Sequence, residues 1–174
     1  METNQDECME WLLDVRGVFP KLDKKTILTE YKKMSNKKLG YVSAKIEQKL
    51  DFNPESLLLG EPTIMRRKIK KPQEFKVYIN QKLQDIENSA LRKEIVQHIL
   101  IHELLHIESE DIITLSKQFG RRKKKKIHTH EFEEEIFRRF NILREKKGMI
   151  KIEKIKHLEI AIHKILDSIN WFGR

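Results

Sequence analysis

The chain is poor in cysteine, lacks any long apolar run, and shows neither an internal repeat nor a long linker. Each absence excludes something. Cys8 is the single thiol, so no internal disulfide can form, and a chain without a disulfide framework fits a reducing, intracellular setting. The apolar runs span a handful of residues, far below the roughly 20 that a membrane-crossing helix needs, so no membrane partner is expected. The N-terminal stretch METNQDECMEWLL is acidic and lacks the basic-then-apolar order of a signal peptide. The expected location is the cytoplasm.

What is present points to one folded unit. A length of 174 residues suits a single domain and buries enough surface to fold without staples. Charged residues make up 36% of the chain, but the 39% that are hydrophobic are patterned, which argues against disorder. The net charge of +9 favours polyanionic partners. Part of it is local: Arg121, Arg122, Lys123, Lys124, Lys125 and Lys126 follow one another without a break.

Periodicity gives an order of elements. Residues 5–16 form an expected amphipathic helix with Met9, Trp11, Leu12 and Val15 on its apolar side, ended by Gly17 and Pro20. Strand-like stretches at 26–31 and 40–46 flank a polar segment and predict a hairpin. Asn53-Pro54 and Gly60-Glu61-Pro62 mark turns within 47–62. Further strands are expected at 63–69 and 75–79. Ser89 is a candidate cap for a helix over about 90–108, apolar around much of its circumference and therefore central and buried. Residues 109–127 read as a loop. A second helix follows at about 129–146, with Phe132, Ile136 and Phe140 one turn apart. A last one spans about 152–170, striped by Ile155, Leu158, Ile162, Ile165 and Ile169. Strands followed by helices predict an α+β fold: a small, mostly antiparallel twisted sheet packed against a central helix, with further C-terminal helices. The expected domain covers residues 1–174. Its core lies at about 25–146, flanked by an N-terminal helix within 1–20 and a C-terminal helix within 150–172.

The chemistry-bearing motif is His102-Glu103-Leu104-Leu105-His106. Histidines four apart on a helix share one face, and both can reach one zinc ion at about 2.0–2.1 Å. Glu103 is rotated by about 100° and does not compete as a ligand. It is placed to accept a proton from the metal's water, which is the general-base role in peptide hydrolysis. A catalytic zinc needs a third protein ligand and an open position. The candidates lie at the start of the second helix: His128, His130, Glu133, Glu134 and Glu135. His98, one turn before His102, is expected in a supporting or surface role.

The segment IVQHILIHELLHIE followed by HTHEF resembles the small zincin metallopeptidases of the SprT-like and YgjP-like type, and the archaeal minigluzincins. The resemblance covers about residues 25–146 and includes TILTEYK, GYVSAKI and FKVYINQKL upstream. It implies a short twisted sheet, an active-site helix and a second helix bearing the third ligand. In SprT-like and YgjP-like members a ligand histidine precedes an aromatic by four, which His128 and Phe132 match. Minigluzincins use a glutamate here, which points to Glu133, Glu134 or Glu135; His128 is the first choice and the glutamates the second. The resemblance also implies that substrate adds as a strand to a sheet edge, for which 75–79 is the candidate, and it raises a terminal segment such as the last helix as a latency device. The same device is conceivable for Cys8, against its reading as a small buried hydrophobe.

These readings predict a zinc metalloendopeptidase with one zinc per chain and a peptide or protein substrate. The alternative is a nucleic-acid-associated protein that holds DNA or RNA through residues 121–126. Six charges can make a salt-dependent phosphate contact, and no aromatic interleaves the run, so base stacking is not expected.

Overall fold

The computed structural model describes residues 3–35, 38–46, 48–51, 66–111, 128–153, 162 and 164. The chain enters as helix α1 (Thr3–Arg16), followed by a short 3-10 turn (Pro20–Leu22) and strand β1 (Thr26–Lys32). Strands β2 (Gly40–Ala44), β3 (Gln48–Asp51), β4 (Arg66–Ile69) and β5 (Glu74–Asn80) come next. A second 3-10 turn (Gln81–Asp85) leads into helix α2 (Ser89–Glu108), and helix α3 (His130–Lys146) follows. The fold is α+β, built on a small three-stranded mixed sheet with β3 and β4 as a separate antiparallel pair.

The main sheet corrects the mostly antiparallel expectation. Its order is β1-β5-β2, with β1 parallel to β5 and β2 antiparallel to it. β1 and β2 therefore do not form the expected hairpin, because β5 lies between them. It also follows that the 75–79 stretch is the central strand and not an edge. Burial explains the arrangement. β5 presents Phe75, Val77 and Ile79, all nearly inaccessible, to the helices, whereas β2 has no fully buried residue. The strand with most apolar surface takes the middle, where both ladders and a covering helix remove it from water. Asn80, at the end of β5, fastens the β1–β2 connection over it. Its Nδ2 donates to Ser35 O (3.1 Å) and Lys38 O (2.8 Å), and its backbone N–H donates to Leu39 O (2.8 Å).

Two further boundaries differ from expectation. Residues 48–51, read as part of a turn-rich stretch, pair as β3 with β4, which falls within the strand expected at 63–69; residues 52–65 lie outside the described set. The cap of α2 is Asn88 and not Ser89: the Asn88 side chain accepts from Leu91 N–H at 3.0 Å, one turn into the helix. Residues 112–127 of the loop expected at 109–127, and most of the expected last helix, also fall outside the described residues. Ile162, from the stripe of that helix, is helical and buried.

α2 is the axis of the molecule. Ile95, Val96, Ile99, Leu100, Ile101, Leu104 and Leu105 are buried on several of its faces, against the sheet, α1 and α3. Each such side chain contributes about 1.5–3 kcal/mol of transfer free energy. Cys8 belongs to this core. It is buried with Sγ 3.3 Å from Thr29 Oγ1, and burial pushes its thiol up to about 11, so it packs as a small hydrophobe. No helix among the described residues is long and apolar enough to cross a membrane.

Candidate metal centre

α3 is held along α2 by apolar and ionic contacts. Ile136, Phe140 and Leu143 are buried between the helices. Arg139 donates to Glu108 (2.5 Å) and to Glu135 (2.5 Å), and Arg144 donates to Glu94 (2.5 Å). The Arg139–Glu108 pair is nearly dry, with side chains 9% and 10% exposed, so losing Arg139 would strand the buried Glu108 charge, whereas Arg139 also keeps Glu135 as a partner. At the N-terminus of α3 the Thr129 hydroxyl accepts from Phe132 N–H at 3.3 Å. This cap, with Thr129 in an extended conformation, stops the helix there and turns the preceding residue, His128, back over α2.

The result is three imidazoles around one point. His106 Nε2 lies 3.1 Å from His102 Nε2 and 3.0 Å from His128 Nε2, and the three nitrogens are all within 4.8 Å of one another. Bonds of 2.0–2.1 Å at tetrahedral angles place ligand nitrogens about 3.3 Å apart, close to these separations. The protonation pattern also fits a cation. His106 Nδ1 is 2.9 Å from Asp111 Oδ2, and a carboxylate only accepts, so Nδ1 carries the hydrogen and Nε2 the lone pair. Two further ring nitrogens then crowd that single lone pair, an arrangement that a shared metal ion satisfies. Burial, followed by the neighbouring rings of His106, His128 and His98, lowers the pKa of His102 to about 3, which keeps it in the neutral, ligating form.

Of the other proposed third ligands, none joins this cluster. His130 is exposed, 3.7 Å from the exposed Glu134. Glu133 is exposed. Glu135 is engaged by Arg138 and Arg139, and chiefly by its bond to Arg138 its pKa falls to about 2. His98 is not at the surface as one reading allowed. It is buried edge-on to Phe140 at 5.4 Å, its Nδ1 has no hydrogen-bond partner, and burial lowers its pKa to about 4. The basic residues 121–126 lie outside the described residues.

Phe132 walls the cluster. Its ring stacks on His106 (4.6 Å between centroids) and His128 (5.1 Å) and meets His102 edge-on at 5.3 Å. It covers one face of His106 and one of His128 and limits their rotation. His128 is the exposed member, so one side of the centre faces solvent.

Glu103 points toward β2. Its residue is 6% exposed, and burial raises its pKa to about 7 against the opposing effects of the Lys38 charge and the Val42 backbone N–H that it accepts from. The approach is close. A Cβ added to Gly40 would stand 2.7 Å from Ile99 Cγ2, 3.0 Å from Tyr78 O and 3.4 Å from Glu103 Oε1. Only glycine lets β2 lie this near α2. Gly40→Ala is therefore expected to destabilise the protein by about 1–3 kcal/mol through overpacking. Metal uptake should be spared, since the three atoms nearest that Cβ belong to Ile99, Tyr78 and Glu103 and to none of the three histidines; thermal melts beside metal titrations check both.

Sequence reasoning missed Asp111, Gly40 and Val42. The first carries no motif, and the other two act through backbone or the lack of a side chain, so only their placement in space reveals them. No protein-family model, no curated protein and no solved structure matches this chain.

Proposed function

We propose that the chain is a zinc-dependent peptidase whose metal is held by His102, His106 and His128 and whose general base is Glu103. The observation that carries this reading is the convergence of three imidazole nitrogens beside a buried carboxylate on the same helix. Three nitrogen donors with one solvent-facing side match a catalytic rather than a closed structural zinc shell. Imidazoles alone also suit copper, nickel or iron; the adjoining glutamate favours a hydrolytic metal.

When bound there, zinc supplies Lewis acidity: it polarises a carbonyl and brings the pKa of water to roughly 7. The protein's own groups do the rest. His102, His106 and His128 would hold the metal as neutral rings, and Phe132 covers a face of His106 and of His128. Glu103 takes the proton of the attacking water on its carboxylate and hands it to the departing amide nitrogen. A carboxyl poised near neutrality suits both transfers.

The substrate's backbone has a partner in β2. Asn80 N–H bonds Leu39 O, and alternation from that pair turns the N–H and C=O groups of Gly40, Val42 and Ala44 away from β5. An extended peptide can add to this edge, beside the Glu103 carboxylate that already uses the Val42 N–H.

The test is metal content paired with hydrolysis of an unstructured protein. The purified chain should carry about one zinc, lose activity to a chelator and regain it with added zinc. Undiminished activity after complete zinc removal would sink the reading. The net charge of +9, with the 121–126 run between α2 and His128 in sequence, supports a second reading as a nucleic-acid-associated protein. Salt-dependent DNA affinity in a chain without any hydrolytic activity would favour that one.

A further inference from the structure

We propose that Asp111 is a positioning residue for the metal centre: by accepting the Nδ1–H of His106 it fixes the ring and directs its Nε2 lone pair at the metal. The inference rests on the zinc-site reading and goes beyond it, since no motif marks Asp111. The contact is short and sheltered: Nδ1 to Oδ2 is 2.9 Å, with the two side chains 13% and 16% exposed.

The chain departs from helical geometry to make this contact. In a continuing helix, residue 111 would stand about 140° around the axis and about 7.5 Å beyond residue 106, out of reach of its ring. α2 instead stops. Ser109 is its C-cap, with its N–H donating to Leu105 O at 2.9 Å, and Glu110 adopts φ 56°. Glu110 is the one non-glycine residue with positive φ among those described, a conformation that costs about 1–2 kcal/mol in an L-residue. Its N–H reaches back to Ile107 O (3.2 Å), and its carboxylate is met by Lys71 Nζ at 2.5 Å. A glycine would take this turn without strain. The strained turn places the next residue, Asp111, against the back of a ring whose front faces His102 and His128.

Carboxylates behind metal-binding imidazoles orient the ring and make it a better donor, and their loss typically weakens metal binding by about 10–100-fold. Zinc affinity should be measured by competition with a chromogenic chelator for the full chain and for Asp111→Ala, Asp111→Asn and Asp111→Glu. The alanine variant is expected to bind zinc about 10–100-fold more weakly. The asparagine variant, which still offers an oxygen to Nδ1–H but no charge, should lose less, and glutamate should restore part of the loss. In cobalt-loaded protein the visible absorption bands should shift in the alanine variant, because a freed ring changes the ligand field. Melting of the metal-free variants close to wild type separates positioning from a general structural role. Zinc affinity within about twofold of wild type in both the alanine and asparagine variants overturns the proposal while leaving the zinc site standing. A wild-type chain that takes up no zinc overturns the site itself and this inference with it.

Discussion

On the proposed zinc-peptidase reading, Glu103→Gln is expected to keep zinc and lose peptide hydrolysis by about 10²–10⁴-fold, the usual worth of a general base. Glutamine matches the carboxylate in size, and its amide oxygen can still accept from the Val42 N–H, so β2 and the histidines stay in place. What disappears is the capacity to take and return a proton. The same variant has a second, independent readout in metal-free protein. Burial raises the Glu103 pKa from 4.5 to about 7, so the folded state holds this proton more tightly than the unfolded chain does. The sign follows: stability is highest at low pH and falls as pH rises from the unfolded value through the folded one. At 1.36 kcal/mol per pH unit the full loss is about 3 kcal/mol. The glutamine variant lacks this dependence. Urea denaturation should therefore find it more stable than wild type near about pH 8, by up to that amount, with the difference closing toward about pH 4. A difference that does not vary with pH would mean that the carboxylate is not held out of water. Retained hydrolysis would remove Glu103 from the mechanism.

His128→Ala carries the next largest expected effect. Zinc binding by four-ligand sites is worth about 10–16 kcal/mol, or roughly 2.5–4 kcal/mol for each ligand. Removing one of three histidines should weaken zinc binding by about 10²–10³-fold. The loss should appear in affinity and not in folding. His128 is exposed and lies before the Thr129 cap, and the contacts that dock α3, Ile136, Phe140, Leu143 and the Arg139–Glu108 pair, are untouched. Melts of the metal-free variant should overlay those of wild type. Glu133→Ala, Glu134→Ala and Glu135→Ala serve as the contrast, because those side chains are exposed or bound to arginine. Their zinc affinities should match wild type. Should His128→Ala retain full affinity while one of the glutamate variants loses it, the third ligand has been misassigned and α3 must turn its other face to α2 when metal is present.

The parts of the site that were legible in sequence are those governed by local geometry. His102 and His106 share a face because a helix repeats every 3.6 residues, and the apolar residues around them leave no doubt that the segment is a helix. The same periodicity located α1, α2 and α3 within a few residues. The choice among His128, His130 and three glutamates was not local. Every one of them lies in or just before the first two turns of α3. The selection depends on which side of α3 packs on α2 and on the Thr129 cap that stops the helix one residue short of His128.

The sequence by itself determined that this is an α+β chain with a central buried helix carrying two imidazoles and a carboxylate in fixed angular relation, since hydrophobic period and helix pitch are properties of neighbours along the chain. Tertiary structure alone decided the rest. It placed β5 between β1 and β2, because strand order follows from which strand buries most and not from which comes next. It brought His128 to within 3.0 Å of His106 across 22 residues, pressed Gly40 against Glu103, and bent the end of α2 through Glu110 so that Asp111 meets His106. Each of these is a contact between segments whose approach is set by packing, and packing is decided by the whole core at once.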